Sequence, residues 1–93
     1  MFFILDENKK VVDETNALVW AQWRNKSSNT RIGNDTVGEI RISTIFLGVG
    51  HVLFETCVFG GEWDQTVTRY ESYENAVKGH ALWVDRIKNE ELH

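Results

Sequence analysis

The chain contains no proline and a single cysteine, Cys57. One thiol cannot close a disulfide within the molecule, which fits a reducing compartment. Basic charge is also scarce: ten Lys and Arg stand against fourteen Asp and Glu, a formal net charge of -4. A phosphate backbone would find no basic face, so direct nucleic-acid binding is disfavoured. The acidic residues are interspersed with basic ones, which argues equally against a DNA mimic. Long apolar runs are missing too. The opening "MFFILDENKK" has no basic region ahead of its apolar residues, and the run stops at Leu5, so it reads as a strand and not a signal peptide. No stretch approaches the ~18 apolar residues of a membrane helix. A cytoplasmic protein without a membrane partner is expected, in which the sequons at Asn25 and Asn34 carry no meaning.

What is present suits one small globular domain: 93 residues, 42% of them hydrophobic and 26% charged. A chain of this size buries only about 60 to 65% of its unfolded surface, so four Trp and five Phe must supply much of the core. "FFIL", "DENKK" and "VVD" read as a strand, a polar turn and an extended segment. The period then changes. After Asp13 or Thr15 as N-cap, Asn16, Val19, Trp20 and Trp23 share one face of a helix, anchored by the two tryptophans.

Residues 25–35, "NKSSNTRIGND", have the composition of a surface loop. "VGEIRISTIFLG" alternates, placing Ile40, Ile42, Thr44 and Phe46 on one face and Arg41, Ser43, Ile45 and Leu47 on the other. "GVGH" is short enough to fold this strand against "VLFETCVF" as an antiparallel hairpin. Both central strands are apolar on two faces, which predicts a helix on one side and a partner subunit or ligand on the other. "GGEWDQ" forms a second turn and "TVTRY" the last strand. Ser72 caps the final helix, whose stripe Tyr73, Val77, His80, Val84 and Ile87 follows the 3.6-residue period. The expected architecture is α+β, an antiparallel sheet of about four strands with two helices in the order β(β)-α-β-β-β-α.

The candidate chemistry gathers in "IFLGVGHVLFETCVFGG". His51 and Glu55 share a strand face, but four residues of strand span about 13 Å, too far for one metal or one proton. As a hairpin-mouth residue, His51 needs no function; as a ligand contact it would face the partner. Glu55 interrupts an apolar strand, and a carboxylate there demands a partner, with Arg41 or Arg69 on flanking strands able to supply one. His80, on the apolar stripe of the last helix, reads as a core histidine holding one hydrogen bond. Cys57 has no base or helix N-terminus beside it and reads as an inert packed thiol. No metal-ligand spacing and no phosphate-binding glycine pattern occurs, and no cofactor is expected. Trp63 and Asp64, in "GGEWD", are candidates for a ligand-contacting turn.

Taken together, "ISTIFLG", "H", "LFETCVFGG", "RY" and a helix beginning "SYENAVKGH" resemble a family of small proteins common in phages and prophages. "FILDEN" and "WAQW" extend the likeness over nearly the whole chain. The matched positions are His51, Glu55, Thr56, Gly60, Gly61, Arg69, Tyr70 and His80. Members of the family carry a longer, glycine-containing loop where this chain has "GVGH", and a methionine at the place of Cys57. The resemblance implies a setting and not an activity. In that setting the expectation is an accessory protein that binds, either inhibiting a host defence protein or sequestering a small signalling ligand, through His51, Glu55, Trp63, Asp64 and Arg69. A homodimer is expected from the two-sided apolar strands. The alternative is a small acid-base enzyme that brings His51 or His80 to Glu55. A structural virion component would need an extended arm, and none is evident.

Overall fold

The computed structural model describes residues 1–91. The elements run β1 (Phe2–Leu5), β2 (Val11–Glu14), α1 (Ala17–Arg24), α2 (Ser27–Thr30), β3 (Arg31–Val37), β4 (Ile40–Val49), β5 (Val52–Phe59), β6 (Val67–Tyr70) and α3 (Tyr73–Glu91). The class is α+β with an antiparallel sheet, as expected, but the sheet has six strands and not about four. Its main path is β2-β1-β4-β5-β6, with β3 also paired to β4. The ten-residue β4 organises the whole. Along one edge it takes β5; along the other it takes β3 beside residues 40–45 and then β1 at Val49.

Of the added strands, β2 is the extended segment "VVD" and β3 comes from the segment expected to be a loop. "RIGNDTV" is poor in β-formers, yet it pairs with β4 from Arg31↔Ile45 to Val37↔Ile40, because Gly38 (φ 61) starts a tight two-residue hairpin turn. Gly50 (φ 60) plays the same part between β4 and β5, in the turn that carries His51. Ahead of β3, "SSNT" forms the single-turn helix α2. The first helix is capped by Asn16 and not by Asp13 or Thr15: its Oδ1 accepts from the Leu18 and Val19 amides at 2.9 and 3.2 Å, while Asp13 lies within β2.

The alternation of β4 is as expected: Ile40, Ile42, Thr44 and Phe46 are buried, and the intervening residues are not. Phe54, Thr56 and Val58 of β5 face the same way. This inner face is covered by α3, and Trp23 of α1 closes its end against Phe46, edge-on at 5.6 Å. Helix α3 begins at the expected cap, Ser72, whose Oγ accepts from the Asn75 amide at 3.1 Å. Its buried stripe keeps Tyr73, His80, Val84 and Ile87 of the expected one and exchanges Val77 for Ala76. Ala76, His80 and Ile87 face the sheet, and Val77 is 42% exposed.

Two apolar clusters result. One joins Leu5, Phe46, Phe54 and Ala76; the other joins Ile40, Ile42, Val58 and Ile87, flanked by Trp63 and Trp83. Phe46 and Phe54 are fully buried, and truncation of such a residue to Ala costs about 3 to 5 kcal/mol. Between the clusters runs a buried polar seam made by Thr44, Thr56 and His80. The opposite face carries no such cluster among the described residues. Ile45, Leu47, Cys57, Phe59 and Val67 belong to neither cluster, and Phe59 and Val67 are 40% and 46% exposed.

Candidate functional site

The five residues expected to form one surface lie in three places. Glu55 and Arg69 are cross-strand partners on the uncovered face. The Arg69 Nε donates to the Glu55 carboxylate at 3.3 Å, answering which arginine pairs with it; Arg41 lies instead over the Phe59 ring at 4.5 Å. The second carboxylate oxygen accepts from the Cys57 thiol at 3.2 Å. Burial, and then the neighbouring Glu55 carboxylate, push the Cys57 thiol pKa up, so this sulfur is held protonated and is a poor nucleophile.

His51 is exposed in the β4–β5 turn, at one end of β5. Trp63 and Asp64 lie past the other end, about 26 Å along the strand from His51. Asp64 is a turn residue whose carboxylate accepts from the Gly60 amide at 2.7 Å. Trp63 turns toward α3. It meets Trp83 edge-on at 5.6 Å and donates from Nε1 to the Glu90 carboxylate at 2.7 Å.

The second candidate, His80, is placed through the sheet from Glu55. Thr56 points toward α3, so Glu55, its strand neighbour, points away. Neither imidazole has a hydrogen bond to Glu55 among the described residues, and the joint His–Glu55 arrangement is not assembled. His80 has two partners where one was expected. Nε2 lies 2.6 Å from the Asp35 carboxylate and Nδ1 lies 2.6 Å from the Thr44 hydroxyl, which is in turn 2.5 Å from the Thr56 hydroxyl.

A carboxylate only accepts, so Nε2 carries a proton toward Asp35. In the singly protonated ring Nδ1 then accepts from Thr44, and Thr44 accepts from Thr56. Asp35, His80 and a hydroxyl in this order are the parts of a nucleophile-activating triad. Here the hydroxyl is sealed. Thr44 and Thr56 have no exposed surface, so no substrate can reach the oxygen that such a triad would activate. Gly33, paired with Thr44 on β3, lets the ring lie flat: a Cβ at this position would stand 2.7 Å from His80 Nε2.

Sequence reasoning missed Asp35 because it treated 25–35 as a loop. The signal for the seam was the two threonines, which become directly opposed once the β4–β5 hairpin is closed at Gly50.

A third feature lies on the outer flank of α3. There β6 and the helix border an open groove of about 610 Å³, lined among others by Thr68, Tyr70, Leu82, Trp83 and Arg86. Trp83 is fixed by donation from its Nε1 to Thr68 Oγ1 at 3.0 Å. No group of His, Cys, Asp and Glu side chains among the described residues could hold a metal ion, and no helix is long and apolar enough to cross a membrane. Comparison of the chain with protein-family models, with curated proteins and with solved structures finds no match.

Proposed function

We propose that this protein acts by binding, as an accessory protein of the phage type that occupies a host protein through the uncovered face of its sheet. The observation that carries this reading is the face itself. Ile45, Leu47, Phe59 and Val67 are left outside both cores, around the Glu55–Arg69 pair. Apolar side chains collected on one sheet face, with a charged pair among them, match the anatomy of a protein interface, apolar at its centre and oriented by a few polar groups. A flat sheet suits a macromolecular partner better than a small signalling ligand, which is normally enclosed in a concavity.

Glu55 and Arg69 then act as orienting residues within the contact. His51, Trp63 and Asp64 lie at or beyond the ends of β5 and contribute at most to its rim. A second copy of the chain is the competing occupant, its sheet stacked on this one about 10 Å away.

The test uses the tagged protein expressed in a bacterial host, with Ile45→Lys as the comparison. The expected result is one host protein recovered in stoichiometric amount with the wild type and lost with Ile45→Lys, both proteins melting alike. Light scattering separates the competing case: a dimer that Ile45→Lys converts to monomer assigns the face to self-association. Recovery of the same host protein by both forms overturns the reading.

A further inference from the structure

The groove between β6 and α3 is a separate surface, on the helix side of the sheet, and the uncovered face plays no part in it. We infer that it receives an extended peptide segment of a partner protein, which adds a strand to β6 and sets an apolar and then an acidic side chain into the groove.

Three observations converge. The first is the edge. β6 ends the sheet path, and its outer side has no strand partner among the described residues. Half of the backbone N–H and C=O groups of such a strand are free to pair with another chain. The opposite edge, β2, is blunted by its own Asp13 and Glu14, whereas the one charge of β6, Arg69, is engaged by Glu55.

The second is the wall. Beside that edge lie Tyr70, Trp83 and Leu82, the last of them 70% exposed, which is unusual for a leucine on a well-packed helix. The Tyr70 hydroxyl is buried and has no hydrogen-bond partner among the described residues. A strand edge next to an apolar helix-lined groove is the arrangement by which strand addition gains both affinity and selectivity: main-chain bonds hold the segment and alternate side chains enter the pocket.

The third is charge. Arg86 stacks on Trp63 and Trp83, 4.9 and 5.3 Å from their ring centroids, and makes no ion pair among the described residues. Asp85 lines the same groove without pairing to Arg86, and a guanidinium held by aromatic faces is preorganised for a carboxylate supplied by the partner.

Geometry orders the two side chains. Tyr70 lies against Gly79, and Thr68 bonds Trp83, so α3 runs opposite to β6. An antiparallel partner of β6 therefore runs along α3 from the Leu82 level toward Arg86. Leu82 to Arg86 advances about 6 Å along the helix, and two residues of strand advance about 6.8 Å. An apolar residue opposite Leu82 is thus followed, two positions later, by an acidic residue opposite Arg86.

The probe is a fluorescein-labelled nine-residue peptide of alternating Thr and Val with a central Leu-Thr-Glu, titrated with the full chain and read by anisotropy. Binding in the micromolar range is expected, weakened about tenfold when Glu is replaced by Lys or when Arg86→Gln is used. Loss is expected with Leu82→Asp, whose exposed position leaves the melting temperature unchanged. N-methylation of the peptide amides that face β6 should abolish binding as well. The peptide substitutions need no protein variant, so they decide the matter even if a variant misfolds. No binding at about 1 mM, equal affinity for the Glu and Lys peptides, or binding that survives N-methylation overturns the proposal. So does self-association abolished by Leu82→Asp in a chain that ignores the peptide, which gives the groove to a second copy.

Discussion

Replacing Thr44 by Val tests whether the Asp35–His80–Thr44–Thr56 chain is a connected unit. Valine matches threonine in shape and suits a strand, so packing is conserved and only the hydroxyl is lost. Its loss strands two buried groups, His80 Nδ1 and the Thr56 hydroxyl, both of which bond Thr44. A buried group left without a partner costs about 1 to 3 kcal/mol, so the pair should cost about 3 kcal/mol. In a domain of this size 1 kcal/mol moves the melting temperature by about 4 to 8 °C, giving a fall of about 12 to 24 °C. Thr56→Val removes only the terminal hydroxyl. Thr44 can still donate to His80, and the expected loss is about 1 kcal/mol. The triple variant Thr44→Val, Thr56→Val, His80→Leu leaves no polar group in the seam, and Asp35, whose side chain is 53% exposed, keeps its water. It should recover to within about 1.5 kcal/mol of the wild type, since an apolar replacement of similar volume is tolerated. Urea unfolding followed by tryptophan fluorescence measures all three at constant m-value. Equal losses for the two single variants, or a triple variant as unstable as Thr44→Val, would refute the connected chain.

Four further expectations concern single positions. Gly33→Ala would place a methyl 2.7 Å from His80 Nε2, displacing the ring from Asp35, and should cost about 1 to 3 kcal/mol in the same unfolding assay. Glu55→Gln removes a pair whose arginine is 65% exposed, so stability should change by less than about 1 kcal/mol while any loss of partner binding reports function. Because burial and then Glu55 raise the Cys57 pKa, the native state holds that proton more tightly than the unfolded chain. The contribution to stability is therefore full below the ordinary thiol range, near pH 8.5, and declines as pH rises through the raised value. Thiol alkylation at fixed pH should correspondingly speed up in Glu55→Gln. Ser72→Ala deletes the bond to the Asn75 amide and should cost about 1 kcal/mol by chemical denaturation.

The legible parts of this fold were those in which one physical signal acted alone. Strict alternation placed Ile40, Ile42, Thr44 and Phe46 on the buried side of β4, and a serine before a long helical period located the start of α3. β3 was not legible. Its residues Gly33, Asn34 and Asp35 have turn chemistry, and only the neighbouring edge of β4 makes them a strand. The same error hid Asp35 as the partner of His80. Glu55 was found because a carboxylate in an apolar strand is anomalous by itself, and its partner was one of the two arginines the flanking strands offered. Trp63 and Asp64 are near Glu55 in sequence only: the turn carries Trp63 to the helix side, where it meets Trp83 edge-on.

The polar seam also bears on how the uncovered face is set out. In the observed register Thr44 faces Thr56, Ile45 faces Glu55 and Phe46 faces Phe54. A slip of one residue would turn every β5 side chain to the wrong face and is excluded by the hydrophobic pattern. A slip of two preserves the faces, so hydrophobicity alone opposes it only weakly. It would set Thr44 against Phe54 and Thr56 against Ile42, or Thr44 against Val58 and Thr56 against Phe46, burying two hydroxyls without their mutual bond. At about 1 to 3 kcal/mol for each orphaned group, that penalty is a large share of the roughly 5 to 14 kcal/mol available to a chain of this length. The seam thus reinforces the register that the two-residue turn at Gly50 and His51 sets. The same register sets Ile45 beside Glu55 on the other face of the sheet, where the β5–β6 ladder brings Arg69 to that carboxylate. A buried network that touches no partner therefore helps hold Ile45 of the proposed interface beside its charged pair.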